Sequence, residues 1–388
     1  MAVGAVPVSD PTLLADIRRY GKFDPTGCYQ CGSCTLSCDL VENDVSFPRR
    51  SLRYALLGLR RPLVAGLEPW VCHDCGDCSI VCPRQSEPRI SMITLRRFLS
   101  AQYEWIGIGS RLLQSKAWYL GSLIFVAAIT IFLIIGYHLW YVAMPARDFA
   151  ATALGLEHMF PMMTYYTLTV ILVPLLLLLS RVIHIWRLTM IGEGRTPIPF
   201  SAYLVEAWVY AYESVAQPLM RKCKEHSRWR GHALLAVGTL TMLAIKVFGL
   251  RWFQTDNIYP LYNPQRWVGY LAAACILYGI GDILVGRWRA KKEIYKETHF
   301  HDLVFPVLIV LTTLTGLTAH VMRYFGFPLA CHYAYALHVI VATPMLVIEM
   351  SFGKWSHMVY RPLALYFLAV RDRASRRAPA TEAVPHAI

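Results

Sequence analysis

Eight cysteines in two runs carry the clearest chemistry in this sequence. The first run, GCYQCGSCTLSCD, places Cys28, Cys31, Cys34 and Cys38; the second, VCHDCGDCSIVCPR, places Cys72, Cys75, Cys78 and Cys82. Both have the spacing C-x2-C-x2-C-x3-C, a ligand run for [4Fe-4S] clusters. Three cysteines at x2 spacing wrap one loop around a cube face. The fourth starts a helix that points away to the other cube. The spacing therefore predicts crossed ligation, with Cys28, Cys31, Cys34 and Cys82 around one cluster. Cys72, Cys75, Cys78 and Cys38 surround the second. Structural zinc, the alternative, is usually held by separated C-x2-C pairs, which two identical four-cysteine runs do not resemble. Asp39 follows the first run where Pro83 follows the second. The turn after Cys38 is expected to be weaker for it, with the ligand set unchanged.

The other three of the eleven cysteines, Cys223, Cys275 and Cys331, are scattered. Clustered cysteines without a secretory signal argue for metal rather than disulfides. The start, MAVGAVPVSDPTLLADIRRYG, lacks a positive region followed by an apolar run, so it does not read as a signal peptide. Residues 1–110 are expected to be a soluble domain in a reducing cytoplasm, with helical stretches near 48–60 and 89–100.

The elements that position this domain are membrane elements. Apolar residues make up 56% of the chain and charged residues 16%, against about a quarter charged in a soluble domain. Six stretches approach the ~20 residues that a bilayer helix needs: about 117–143, 164–184, 232–250, 266–286, 302–324 and 329–350. Segment 185–231 holds Arg187, Arg195, Arg221, Lys222, Lys224, Arg228 and Arg230, and segment 287–301 holds five more Arg or Lys. The alternate loops carry far fewer, so both termini are expected on the cytoplasmic side of the inner membrane. The formal charge of +13 is then accounted for by topology and lipid contact, without nucleic acid. The stretch PIPFSAYLVEAWVYAYESVAQPL is aromatic and amphipathic, as in a helix lying on the membrane face. Residues 371–388 read as a disordered tail.

Histidines are numerous for a passive bundle. Ionisable groups inside a membrane usually face a cavity or cofactor, and haem b between helices needs facing imidazoles. The candidates are His138, His158, His184, His232, His299, His301, His320, His332, His338 and His357. His338 and His357 are separated by nineteen residues, about 28 Å of helix, so they suit two haems stacked across the membrane. His232, at the start of the third stretch, is the natural partner of His357 in an inner haem. His320 is the favoured partner of His338 in an outer one, with His138, Met242 and Lys246 as alternatives.

Segment 23–99, with FDPTGCYQCGSC, FPRRSLRYALLGL, WVCHDCGDCSIVCPR and ISMITLRRFL, resembles the small iron–sulfur subunit of heterodisulfide reductases. The remainder resembles their cytochrome b partner, which is related to the gamma subunit of respiratory nitrate reductase. The strings HDLVFPVLIVLTTLTGL and ALH … FGKWSHMVYRP are similar to that subunit's last two helices. The fusion of both parts resembles the membrane subunits of quinone-interacting membrane-bound oxidoreductases of sulfate reducers. This resemblance implies two [4Fe-4S] clusters, haem b and menaquinone. It also implies soluble flavin and iron–sulfur partner subunits, with adenylylsulfate reductase as the end user of the electrons. In the related gamma subunit the helix matching the third stretch carries two histidines ten residues apart; here only His232 matches, and Met242 stands in the second position.

The expected architecture is mostly α. A ferredoxin-like two-cluster domain (1–110) precedes a six-helix transmembrane haem b bundle (111–370) and a tail (371–388). The expected function is a membrane electron-transfer subunit of a quinone-linked oxidoreductase. A haem-free anchor whose clusters relay electrons is one alternative, and a heterodisulfide reductase-type subunit with another acceptor is a second. A transporter using Lys246 and His320 would leave the clusters unexplained.

Overall fold

A computed structural model describes residues 8–41, 47–142, 160–191, 198–222, 226–253 and 257–377, with Pro145 and Asp148. Among the described residues the chain is helical throughout, with no strand. It divides into two compact units. One comprises the described residues of Met1–Trp105, Arg181–Lys224 and His357–Ile388; the other comprises those of Ile106–Ser180 and Glu225–Ser356. The units do not follow the expected boundaries of 110 and 370. The 181–224 connection and the last helix group with the cysteine segment, because their side chains pack on it.

In the first unit, seven short helices carry the cysteine runs: α1 (Leu13–Arg18), α2 (Ser33–Leu36), α3 (Arg49–Leu56), α4 (Arg60–Val64), α5 (Glu68–Val71), α6 (Asp77–Ile80) and α7 (Pro88–Gln102). Helix α7 starts on Pro88, whose fixed φ and missing N–H suit a first turn. It buries Met92, Leu95, Phe98 and Leu99, an apolar stripe at three- and four-residue intervals. Helix α1 packs on both α7 and α3, and Leu13 and Ile17 of α1 and Leu52 and Ala55 of α3 are fully buried. Tyr20 packs edge-on to Phe98 at 5.7 Å. Thr94 Oγ1 donates to the Lys22 carbonyl at 2.8 Å.

Three later segments complete this unit: the end of the second long helix from Arg181, the helix Phe200–Val215 and the final helix His357–Arg377. Arg181 and Glu104, both almost wholly buried, form an ion pair at 3.2 Å. The rings of Trp70, Tyr103 and Tyr360 pack together, with Trp70 and Tyr360 edge-on at 5.3 Å. The amphipathic helix Phe200–Val215 lies on the final helix. There the Tyr366 hydroxyl donates to the Tyr203 carbonyl at 2.9 Å and Arg373 pairs with Glu206. Its other face leaves Phe200, Leu204, Trp208 and Tyr212 exposed, a four-residue repeat forming one apolar stripe. Residues 371–377 of the expected tail continue the final helix, supported by an Arg376–Asp372 pair one turn apart. Residues 378–388 lie outside the described residues.

The second unit holds most of the helices of membrane length. Among the described residues, six helices are long and apolar enough to cross a membrane: Lys116–Trp140, Thr164–Met190, His226–Phe248, Pro264–Arg289, Phe300–Tyr324 and Pro328–Glu349. The third packs on the fourth and the fifth on the sixth. Glycine permits the closest of these approaches. A Cβ on Gly238 would meet the Ala272 carbonyl oxygen at 2.6 Å, and one on Gly279 would run into the Gly231 carbonyl oxygen. Small residues at helix contacts are the usual device for packing in lipid, where no hydrophobic force brings helices together. Pro344 in the sixth helix removes one backbone donor. The following turn, Met345–Glu349, takes π geometry. The third helix begins at His226, so His232 sits in its second turn rather than at its start.

Candidate metal centre

The two cysteine runs fold as copies of one loop. In each, the residue before the second cysteine is left-handed, Gln30 at φ 56 and Asp74 at φ 59. The glycine after it is left-handed too, Gly32 at φ 87 and Gly76 at φ 97. Glycine adopts this conformation without a Cβ penalty; these two caps start α2 and α6. The curled loop turns backbone amides onto sulfur. Gln30 N–H donates to Cys28 Sγ at 3.4 Å and Asp74 N–H to Cys72 Sγ at 3.3 Å. Helices α2 and α6 pack on each other and deliver Cys38 and Cys82 at their far ends. The turn after Cys38 closes without proline: Val41 N–H reaches the Cys38 carbonyl at 3.1 Å, and Gln85 N–H the Cys82 carbonyl at the same 3.1 Å.

The eight sulfurs line two cavities. Cys72, Cys75, Cys78 and Cys38 line one; Cys28, Cys31, Cys34 and Cys82 line the other. Each cavity draws three cysteines from one run and the fourth from the other. Among the described residues, no group of three or more His, Cys, Asp or Glu side chains is arranged to hold a single metal ion. A zinc site would gather four sulfurs about 2.3 Å from one centre; cysteines ringing an open cavity fit a cuboidal cluster.

The cavities differ in setting. Cys72 and Cys78 are buried, and burial raises the Cys78 thiol far above its ordinary value. Burial likewise raises Cys72 and pushes Cys38 up to about 12. Arg89, buried beside this cavity, pairs with Asp74 at 2.9 Å. Arg96 holds the loop from below, donating to the carbonyls of Pro69 (2.8 Å) and Cys72. Around the second cavity Cys31 is exposed, and the Ser33 hydroxyl lowers its thiol. Burial raises Cys82, but bonds from Ser86 outweigh it and leave that thiol lowered. Thiolate is the ligand form, so buried thiols release protons when metal binds.

The histidines fall into several separate settings. His338 sends Nδ1 to the Thr312 carbonyl at 3.0 Å, and its ring lies against Gly316, where a Cβ would stand 3.1 Å from Cε1. A carbonyl only accepts, so Nδ1 carries the proton and Nε2 keeps its lone pair. His320 has both ring nitrogens within 2.9 Å of Arg266 Nη1, and Nε2 at 2.6 Å from the Tyr270 hydroxyl. His232 and His357 are both half-buried, the latter at the start of the final helix. His138 and His332, each named singly from the sequence, come together at 6.2 Å between ring centroids. His299 and His301 stack at 5.0 Å, and His301 Nε2 lies 2.9 Å from the Leu112 carbonyl. His184 packs on Trp105 at 4.2 Å. His158 and Cys223 lie outside the described residues. Sequence reasoning missed His73 and Arg361: Arg361 on the final helix donates to the ring of the buried His73, which lines the first cavity. Their distance in sequence hides them; the one local signal is His73 beside Cys72.

Residues 27–86 match the family model of the 4Fe-4S dicluster domain. A heterodisulfide reductase C-subunit-like protein of Archaeoglobus profundus is 35% identical over 88 residues, covering 22% of this chain and 47% of that protein. The chain thus spans about half the length of the curated relative it matches. No solved structure matches the chain. The chain therefore carries a 4Fe-4S dicluster domain ahead of six helices, among the described residues, of membrane-spanning length.

Proposed function

We propose that this chain is the membrane electron-transfer subunit of a respiratory oxidoreductase, exchanging electrons between menaquinone and soluble flavin and iron–sulfur partner subunits on the cytoplasmic side. The observation that carries the reading is the pair of crossed cysteine cavities on a chain with six membrane-length helices. When bound, two [4Fe-4S] clusters supply one-electron transfer between stations. The chain's own residues hold them: eight cysteines ligate, amides of Gln30, Asp74 and Ser86 reach Sγ of Cys28, Cys72 and Cys82, and Arg89 and Arg96 fix the buried loop. Hydrogen bonds to sulfur stabilise the reduced, more negative state and so raise the potential.

Haem b belongs to this proposal, with His232 and His357 assigned to one haem and His338 to a second. His338 would hold haem iron through Nε2, because its Nδ1 is anchored on the Thr312 carbonyl, the arrangement that orients a ligating imidazole. His320, its expected partner, does not fit as it stands, since Arg266 and Tyr270 occupy its nitrogens. Reduced-minus-oxidised spectra of purified protein test this half directly: haem α-bands are expected, and their absence leaves a haem-free anchor. The sequence resemblance to the membrane subunits of quinone-interacting membrane-bound oxidoreductases names adenylylsulfate reductase as the final acceptor. The archaeal relative favours a second reading, a heterodisulfide reductase-type subunit with another acceptor. Menaquinol-driven reduction of the clusters, followed by addition of each acceptor, distinguishes them.

A further inference from the structure

The two cavities are not equivalent, and their difference gives the relay a direction in space. Two side-chain links join the Cys38/Cys72/Cys75/Cys78 cavity to the final helix, which follows the sixth membrane-length helix in the chain. His73, next to Cys72 and 4% exposed, accepts from Arg361. Trp70, two residues before Cys72, packs on Tyr360 at 5.3 Å and donates to Tyr103 at 3.2 Å. All five side chains are buried or half-buried. The other cavity is more open. Cys31 is exposed, and the cavity is rimmed by the exposed Tyr29, Pro83 and Arg84.

We propose that the Cys38/Cys72/Cys75/Cys78 station is the membrane-side station, coupled to the final helix through His73 and Arg361, and that the Cys28/Cys31/Cys34/Cys82 station is the exit toward a soluble redox protein. This order rests on the electron-relay reading above. An electron passed between stations oxidises the first and reduces the second, with no proton or leaving group involved. Oxidation of the quinol to quinone supplies two electrons and releases two protons to water; the electrons pass singly through the stations, and the soluble flavin or iron–sulfur partner removes them. Arg361 is a positioning residue: its guanidinium holds the His73 ring and places a positive charge near one station only. A nearby cation stabilises the reduced cluster, so its loss lowers that cluster's potential.

The test uses the full chain in detergent, titrated electrochemically and followed by electron paramagnetic resonance. Arg361→Gln is expected to lower the potential of one cluster signal and leave the other in place, while Arg361→Lys, which keeps the charge, returns it toward the native value. An aqueous dysprosium chelate added to the unmodified chain should speed the spin relaxation of the other signal. The order is overturned if the signal shifted by Arg361→Gln is the one that dysprosium relaxes most. It is equally overturned if neither potential moves in a variant that retains its iron. Should Arg361→Gln fail to fold, Arg361→Met, which removes the same charge and keeps the apolar stem, must shift that one signal. Absence of both signals from the unmodified chain refutes the cluster reading itself, a separate failure visible before any variant is made.

Discussion

The Glu104–Arg181 pair ties the end of the dicluster segment to the second long helix, and its burial makes its removal measurable. The charges stand 3.2 Å apart, each side chain 4% exposed. At an effective dielectric of about 20 their attraction is about 5 kcal/mol. Removing one partner strands the other in a buried site, a change that typically costs about 3–5 kcal/mol. Glu104→Gln and Arg181→Met are each expected to destabilise the unit by that amount. Removing both leaves no stranded charge, so the double variant should be less destabilised than the sum of the singles by at least about 1.5 kcal/mol, on the order of a strong coupling. Thermal unfolding in detergent, read by loss of the cluster absorbance, measures all four members of the cycle. Additive losses would refute the reasoning, since they would mean that neither side chain depends on the other.

Crossed ligation predicts a pairing that sequence order would not give. Cys38→Ala should abolish the same paramagnetic signal as Cys75→Ala, and Cys82→Ala the same signal as Cys31→Ala, each with iron falling to about half. Gly238→Leu should separate the third and fourth long helices. Overpacking of this kind costs about 1–3 kcal/mol, seen as a lower melting temperature, and Gly281→Ala, where a Cβ meets nothing within 4 Å, should not change it. Asp10 is held at about 2, below its ordinary value, by bonds from Thr12 and Arg60. Its folded value is depressed, so its stabilisation is complete above about pH 4 and is lost as pH falls toward 2. Urea midpoints for Asp10→Asn should therefore fall at pH 7 and converge on the native value at pH 2.

The cysteine runs were legible because the ligand spacing is local: a loop that curls three sulfurs around one point needs nothing from the rest of the chain. The left-handed residues of the loops, Gly32 and Gly76 with Gln30 and Asp74, were not read from the spacing, which fixes the ligands and not the backbone between them. The proline missing after Cys38 misled slightly, since the Val41 amide closes that turn as well as its counterpart does. The number of membrane-length helices followed from hydropathy alone. Hydropathy gave no warning that Arg181–Met190 and the final helix would join the cysteine unit. That grouping depends on Trp70 meeting Tyr360 and His73 meeting Arg361, contacts across nearly 290 residues. The position of His320 near the end of the fifth stretch suggested a haem ligand and gave no sign of Arg266 and Tyr270, fifty and more residues away, which engage its ring.

Iron and acid-labile sulfide per chain test the central claim most directly. Protein purified without oxygen should contain about eight of each, four per cavity. Zinc at one or two per chain with no labile sulfide would contradict it.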